Sequence, residues 1–550
     1  MSTVEDESCS AGSSPTSNDG LADLPMKNLL AMTSSLPASD IAALSSTCKH
    51  LRALLSPSLF SICRWNGRNS KAPPERIWPY IRYVSASISG MCRNTHEAHT
   101  QKDLSRLTSL HVSGATITPN LTTILSSATN LDTLDFSYLS WRGPPHGFWY
   151  KCRDVPKEYE LIPVFPTIHC HPRVVKFCSR LGPDYREGWG YANRMRAQRM
   201  AFVTLLYQLD VARVEYLKVG LEALCLSCAV TYTWSTLRVL VLTGFWVRDP
   251  EALEDARTRT PASIYEHVHL GTLLVAAPHL RVLRVQWRGL AQRSWGPTTF
   301  DTSPPVVWPA DEAVPPPSAG VLSRLREVVL HNPTLEDGIW ARLPTKLHVL
   351  SLVRWPHSSF GTQVAGYHDV VPMPPGCEGQ GTLTADELVD ILGRVPMRGL
   401  KELRLSVRRV EDMRLFEHIT KAFPRLEVLE VHAETGPDCL WTASRLADFA
   451  RALAPLPRLR VLRVNCFAGV IEERTEHWPQ EDTDGILKED LINALFGPLK
   501  GVRELWLPTT GIKGMNVCWT YRMLSLYEVQ RDESGRVELN WRETAKEERQ

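Results

Sequence analysis

The sequence predicts an α/β protein: a small N-terminal helical module, then an irregular solenoid of stacked repeats with parallel strands on its concave face and helices on its convex face. Three observations carry that expectation. A phrase of one apolar residue, two others, an apolar residue, one other and an apolar residue returns along most of the chain. Several segments between its copies read as amphipathic helices that stop at proline just before the next copy. Ahead of the first copy, the stretch from Leu24 to Phe60 has helical spacing and no such phrase.

The 550 residues suffice for two or more ordinary domains or for one extended array. With 62 basic and 60 acidic side chains there is no global field to draw nucleic acid or a membrane surface, so partners must be read from local features. Thirteen cysteines follow no regular spacing, and residues 1–20 are acidic and serine-rich where a leader would be basic and apolar. The expected compartment is therefore reducing, cytoplasm or nucleus. No uncharged apolar run approaches the roughly 18 residues of a membrane span, and the chain is expected to be soluble.

Residues 1–20 hold nothing to bury and are expected to be a disordered tail. Residues 21–65 form the helical module, with apolar groups around Leu29 and Leu30, around Ile41 and Leu44, and around Leu51, Leu54 and Leu55. Pro25 suits a first helical position, because its ring presets φ and its missing N–H would have no partner there. Pro37 closes that helix, Ser39 is placed to cap the next, and Asp40 sits at the positive end of its dipole. Three helices this short do not bury a sufficient core alone, so part of their apolar surface should meet a partner.

The string Leu24-Pro25, Leu29-Leu30, Leu36-Pro37-x-Ser39-Asp40-Ile41, Leu44-Ser45-x-x-Cys48-Lys49-x-Leu51-Arg52 and Ser58-Leu59-Phe60 resembles an F-box. It departs from that pattern at Met26-Lys27, where a small or acidic pair is usual, and at Phe60, where Trp is common. The resemblance implies docking on a Skp-type adaptor, and through it on a cullin, by Leu24, Pro25, Leu29, Leu30, Ile41, Leu44, Cys48, Leu51, Leu59 and Phe60. The competing reading is a helical subdomain packed on its own chain.

Residues 66–103 mix prolines and aromatics with polar residues and read as a packed connector. The repeat array is assigned to residues 104–510. Copies of the phrase start at Leu107, Leu131, Leu237, Leu280, Leu325, Leu347, Leu400, Leu426, Leu459 and Val502, with one more near Val214 or Leu221 whose register the sequence leaves open. The spacing of about 22 to 26 residues, larger where insertions fall, is that of a leucine-rich repeat. Between copies, Thr384 and Glu387 make a capping box before Leu388, Ile391 and Leu392. Leu415, Ile419 and Ala422 share a helical face, and Thr442 is placed to cap a helix carrying Leu446, Phe449 and Leu453. This part resembles the degenerate leucine-rich repeats that follow F-boxes in divergent fungal proteins, although most copies lack the usual Asn or Cys after the strand. Insertions are expected near residues 141–200, 289–317, 356–381 and 469–484, with a basic helix near 193–208. Residues 511–550 should form a last strand pair, Met523–Val529 and Arg536–Trp541, and a charged tail.

The first, fourth and sixth positions of the phrase face the core, so the fifth and seventh project from the concave sheet. That aligns Arg284, Arg404, Glu430, Arg463 and Trp506, with Gln286, His331, Ser406, His432 and Asn465 beside them. Arg284, His331, Arg404, His432, Arg463 and Trp506 are the candidate target-binding residues, suited to an acidic or phosphorylated segment through charge-assisted bonds; otherwise the row is a solvated face. Trp141, Trp246, Trp287 and Trp355 lie just past strand ends, as interface anchors or as fillers of repeat volume. Cys225-x-x-Cys228 has half a zinc spacing, and its flanking Leu224 and Leu226 suggest a buried strand; His169-Cys170-His171 with Cys178 is a second donor group. No GxxxxGK, GxSxG, HExxH or GxGxxG is present, and no catalytic residue, metal or cofactor is assigned. The expectation is a non-catalytic substrate-recognition subunit of an SCF-type ubiquitin ligase. The alternatives are a repeat scaffold or GTPase regulator outside such a ligase, and an enzyme within the Trp141–Pro183 insertion.

Overall fold

A computed structural model describes residues 26–33, 35–65, 73–87, 104–114, 119–139, 167–179, 198–244, 269–287, 307–310, 320–353, 382–395, 397–410, 412–433, 443–464, 489–512, 520–531 and 537–546. The expected tail at residues 1–20, and the expected Thr442 cap, lie outside them.

Three helices come first: α1 (Met26–Thr33), α2 (Ala38–Thr47) and α3 (Lys49–Leu59). Pro37 is the N-cap of α2, and the Ser39 hydroxyl donates to Asp40 Oδ1 at 3.1 Å, so Ser39 does not cap as expected. Lying one position inside the helix, it finds the neighbouring carboxylate before any backbone N–H. Cys48 is extended, and its Sγ accepts the Leu51 N–H at 3.3 Å, the cap of α3. Leu29, Leu51 and Leu55 are buried together, with Ile41, Leu44, Cys48, Leu54 and Leu59 packed around them. This small core is separate from the one that runs through the rest of the chain.

Among the described residues, sixteen strands then form one open sheet whose lateral order is the chain order. The first seven are β1 (Ile62–Trp65), β2 (Tyr83–Ser87), β3 (Ser109–Gly114), β4 (Thr133–Leu139), β5 (Val174–Ser179), β6 (Tyr216–Gly220) and β7 (Val239–Gly244). The next seven are β8 (Val282–Trp287), β9 (Glu327–His331), β10 (Val349–Val353), β11 (Glu402–Val407), β12 (Val428–Ala433), β13 (Val461–Val464) and β14 (Glu504–Ile512). All fourteen run parallel. β15 (Thr520–Arg531) and β16 (Val537–Lys546) return antiparallel across the last parallel strand, where the sequence expected a terminal strand pair.

Helices α4 (Pro119–Ser127), α5 (198–206), α6 (Leu226–Ala229), α7 (Leu270–Val275), α8 (Ala385–Arg394), α9 (Arg414–Ala422), α10 (Ala443–Leu453) and α11 (Glu489–Phe496) fall between strands. The capping box of α8 is present: Glu387 N–H donates to Thr384 Oγ1 at 3.2 Å and Thr384 N–H to Glu387 Oε2 at 2.7 Å. Leu283 and Val285, Leu403 and Leu405, and Leu462 and Val464 turn inward and are buried with the helices' apolar faces. Each buried leucine contributes roughly 2 kcal/mol of transfer free energy, and no repeat covers its own.

Where each parallel strand begins, one carbonyl accepts two N–H groups from the next strand. Arg238 O takes those of Arg281 at 2.8 Å and Val282 at 3.0 Å, and Arg281 O takes those of Arg326 at 2.7 Å and Glu327 at 3.1 Å. The same pairing recurs from Ser61 O to Arg460 O and locks the lateral register.

Two boundaries move. The sheet starts at β1 and includes β2, both before the expected start at residue 104, because Ile81-x-x-Val84-x-Ala86 keeps the phrase without leucine. β5 lies within the expected insertion at 141–200, its phrase reduced to Val175-x-Phe177. The copy of open register is the one beginning at Val214, since Leu217 and Val219 pair with Leu240 and Leu242. Tight connections lead from each helix to the next strand, five to seven residues from α4 and from α7 through α11. The long connections leave from the strands' carboxyl ends, so they share one edge of the sheet.

Residues 307–310 are tied to the chain between β9 and β10 by Asp337. Its carboxylate accepts N–H groups from Val307 at 2.7 Å, Trp308 at 3.0 Å and Ile339 at 2.9 Å. Burial pushes this carboxyl up to about 6, against the pull of those three bonds and of Arg342. The folded state thus holds a proton that the unfolded state has released between pH 3.8 and about 6. This contribution is present below pH 3.8 and lost as pH rises through 6, a change of about 3 kcal/mol. Denaturant titrations of wild type and Asp337→Asn from pH 4 to 7 should differ by that slope, because the amide does not titrate.

Candidate functional site

The sheet face away from the helices carries the expected lateral row. Paired positions run Lys218, Val241, Arg284, Val329, Ser351, Arg404, Glu430, Arg463 and Trp506 across β6 to β14. Beside it, Val353 pairs with His331 and Ser406 with His432. Asn465 lies outside the described residues. The structure therefore brings together the six residues Arg284, His331, Arg404, His432, Arg463 and Trp506 on one face.

Their charges are largely matched within the face. Arg284 Nε reaches Glu327 at 2.6 Å and Arg404 Nη2 reaches Glu402 at 2.6 Å. Glu430 is the hub: Arg463 Nη1 lies 3.1 Å away, Arg404 Nε 3.7 Å and His432 Nε2 2.6 Å. Burial pushes the Glu430 carboxyl up, but His432, Arg404 and Arg463 outweigh it and hold it well below the usual carboxylate range. Arg463 also sits 5.4 Å from the Trp506 ring centroid, and the Trp506 indole N–H has no acceptor among the described residues. The expectation that these arginines await an outside anion meets a different arrangement, because Glu327 and Glu402 stand at the third position of the phrase, two before the fifth, Glu327 on the strand beside Arg284 and Glu402 on the strand of Arg404 itself.

A second group on this face escaped the sequence reading. Asp135 on β4 holds His111 Nδ1 of β3 at 3.3 Å and Lys176 Nζ of β5 at 3.0 Å. Two members were legible, since His111 and Asp135 hold the fifth position of the copies at Leu107 and Leu131; only Lys176 depended on the Val175-x-Phe177 remnant that makes β5 a repeat strand.

The cysteine clusters come apart. His169 and His171 are exposed, whereas Cys170 and Cys178 are buried and burial pushes both thiols up to about 11. Cys225 and Cys228 flank the start of α6, a short helix where a buried strand was expected, with their sulfurs 3.0 Å apart. Burial, then the neighbouring Cys225, pushes Cys228 up to about 11. Among the described residues, no three His, Cys, Asp or Glu side chains converge as metal ligands. Trp141, Trp246, Trp355 and the Trp287 side chain lie outside the described residues; among the described ones, the fully buried tryptophans are Trp78, Trp234, Trp308 and Trp340.

On the helical module, Leu29 and Leu51 are interior and hold the helices to each other. Ile41, Leu44, Cys48 and Leu59 are half-buried, and Phe60 is exposed. Leu24, Pro25 and the Leu30 side chain lie outside the described residues. Met32 (54 % exposed), Leu36 (40 %) and Ile62 (60 %) add to the apolar surface, none of them among the expected contacts. Their signal was present in the sequence as apolar residues at the ends of helical groups.

No family model matches this chain, and no curated protein matches it either. No helix among the described residues is long and apolar enough to cross a membrane.

Replacing Glu430 by Gln leaves Arg404 and Arg463 without their shared carboxylate and should cost about 3 kcal/mol in denaturant unfolding at pH 7. The stabilisation by Glu430 is present above its ordinary value of 4.5 and lost as pH falls through its depressed one. The gap between wild type and the variant should therefore narrow on acidification.

Proposed function

We propose that this protein is a substrate-recognition subunit of an SCF-type ubiquitin ligase, an F-box joined to a degenerate leucine-rich-repeat solenoid, with no chemistry of its own. One observation carries the reading: a three-helix module keeps a small core apart from the array and leaves Met32, Leu36 and Phe60 uncovered, with Ile62 at the start of β1 exposed as well. Apolar side chains exposed this far on so small a module stabilise nothing until a partner covers them. A specific interface takes roughly 800 Å² from each partner, and the exposed set with Ile41, Leu44 and Leu59 is suited to begin one with a Skp-type adaptor, and through it a cullin. The array would hold a target protein, raising the effective concentration of its lysines near a charged conjugating enzyme. Cytoplasm or nucleus is the compartment that fits this role.

The test is copurification with a Skp-type adaptor. Full-length protein should retain it, whereas a chain lacking residues 21–59, cut before β1 so that the sheet is untouched, should lose it. Met32→Asp combined with Leu36→Asp should lower recovery at least tenfold with the array's melting unchanged. Equal recovery from all three proteins sets the adaptor reading aside and leaves a repeat scaffold.

A further inference from the structure

The edge where the parallel strands begin is strongly basic. At the positions just before and just after the first apolar residue of each phrase from β2 to β14, fourteen side chains are Arg or Lys and three are Asp or Glu. Since the whole chain carries only +2, this edge concentrates charge that is balanced elsewhere. The three carboxylates are engaged by their neighbours: Arg173 with Asp132 at 2.6 Å, Arg238 with Glu215 at 3.3 Å and Lys401 with Glu427 at 3.2 Å.

Between Arg238 on the approach to β7 and Lys401 on the approach to β11, no carboxylate occupies the edge. Arg281, Arg324, Arg326, Lys346 and Arg398 stand there, all exposed except the half-buried Arg326. None has an acidic side chain within ion-pair distance among the described residues; Arg326 donates only to the Lys346 carbonyl, at 2.9 Å. Nearby Glu327 and Glu402 are held by the open-face Arg284 and Arg404. The strand register fixes the cations at intervals of about 5 Å, so they form a narrow line of about 15 Å.

We infer that an extended acidic polypeptide segment binds along this edge from β8 to β11, recognised by Arg281, Arg324, Arg326, Lys346 and Arg398. An extended chain crosses 15 Å in about five residues and can set a carboxylate or phosphate opposite each cation. Twelve of the fourteen basic residues are arginine, whose fork pairs with either anion in two-point fashion. The edge offers no row of aromatic rings on which bases of a single-stranded nucleic acid would stack. Its two-residue width suits one extended chain better than a duplex or a bilayer.

The inference rests on the reading that the array holds a target and is independent of the adaptor. Fluorescence anisotropy of a labelled octaglutamate peptide with the full-length protein tests it. Binding at about 50 mM salt should weaken at least tenfold at about 300 mM, as exposed ion pairs are screened. Arg281→Glu, Arg324→Glu and Arg326→Glu combined should weaken it at least tenfold as well, while Arg451→Glu on α10 should leave it unchanged. Should the reversal variant unfold, Arg281→Gln with Arg326→Gln serves instead, with a threefold loss expected. A phosphoserine octapeptide binding more tightly than octaglutamate would also support the inference and assign the anion to phosphate. Equal binding by wild type and variant overturns it, as does tighter, Arg281-dependent binding of an oligothymidine or of phosphatidylserine vesicles. Failure of the wild-type protein to bind either peptide, with adaptor capture intact, overturns this inference alone.

Discussion

The lateral rows of side chains across the parallel sheet are placed by the carbonyl that opens each strand and accepts two N–H groups from the next. A single-residue slip would turn every inward leucine outward, so the ladder and the buried stack enforce the same register. Because the pairing is uniform from Ser61 to Arg460, side chains at equivalent positions fall into straight lateral rows. Those rows, not any local motif, define the open face and the basic edge.

The rows separate charge in a way that composition conceals. On the open face, acidic residues one pleat from arginine satisfy it internally, with Glu430 shared among Arg404, Arg463 and His432. On the edge, the turns that precede the strands repeat basic residues beside a buried apolar residue, and from β8 to β11 the nearby carboxylates Glu327 and Glu402 are taken by arginines of the open face. A near-neutral chain thus presents a matched face and an unmatched edge. Tight connections into the strands keep that edge regular, while long connections depart from the opposite one.

The helical module is a different physical object. Its core consists of Leu29, Leu51 and Leu55 with a half-buried shell, too little to stand alone for long without covalent attachment or a partner. Cys48 illustrates how a residue that resembles a contact can serve locally: its sulfur caps α3 while its side chain lies half-buried in the shell.

Sequence alone determined the α/β class, the three N-terminal helices, the repeating phrase, the helix cap at Thr384 and Glu387, and the row from Arg284 to Trp506. All of these follow from periodicities within one element, where burial of one residue implies burial three or two positions later. Tertiary structure decided that Ile62, Val84 and Val175 begin or continue the same sheet, since their phrases carry too little leucine to stand out. It also decided that Arg463 meets Glu430 and that Arg281 meets no carboxylate among the described residues. Those contacts join residues a repeat or more apart, and connections of unequal length leave their alignment to hydrogen bonding between strands.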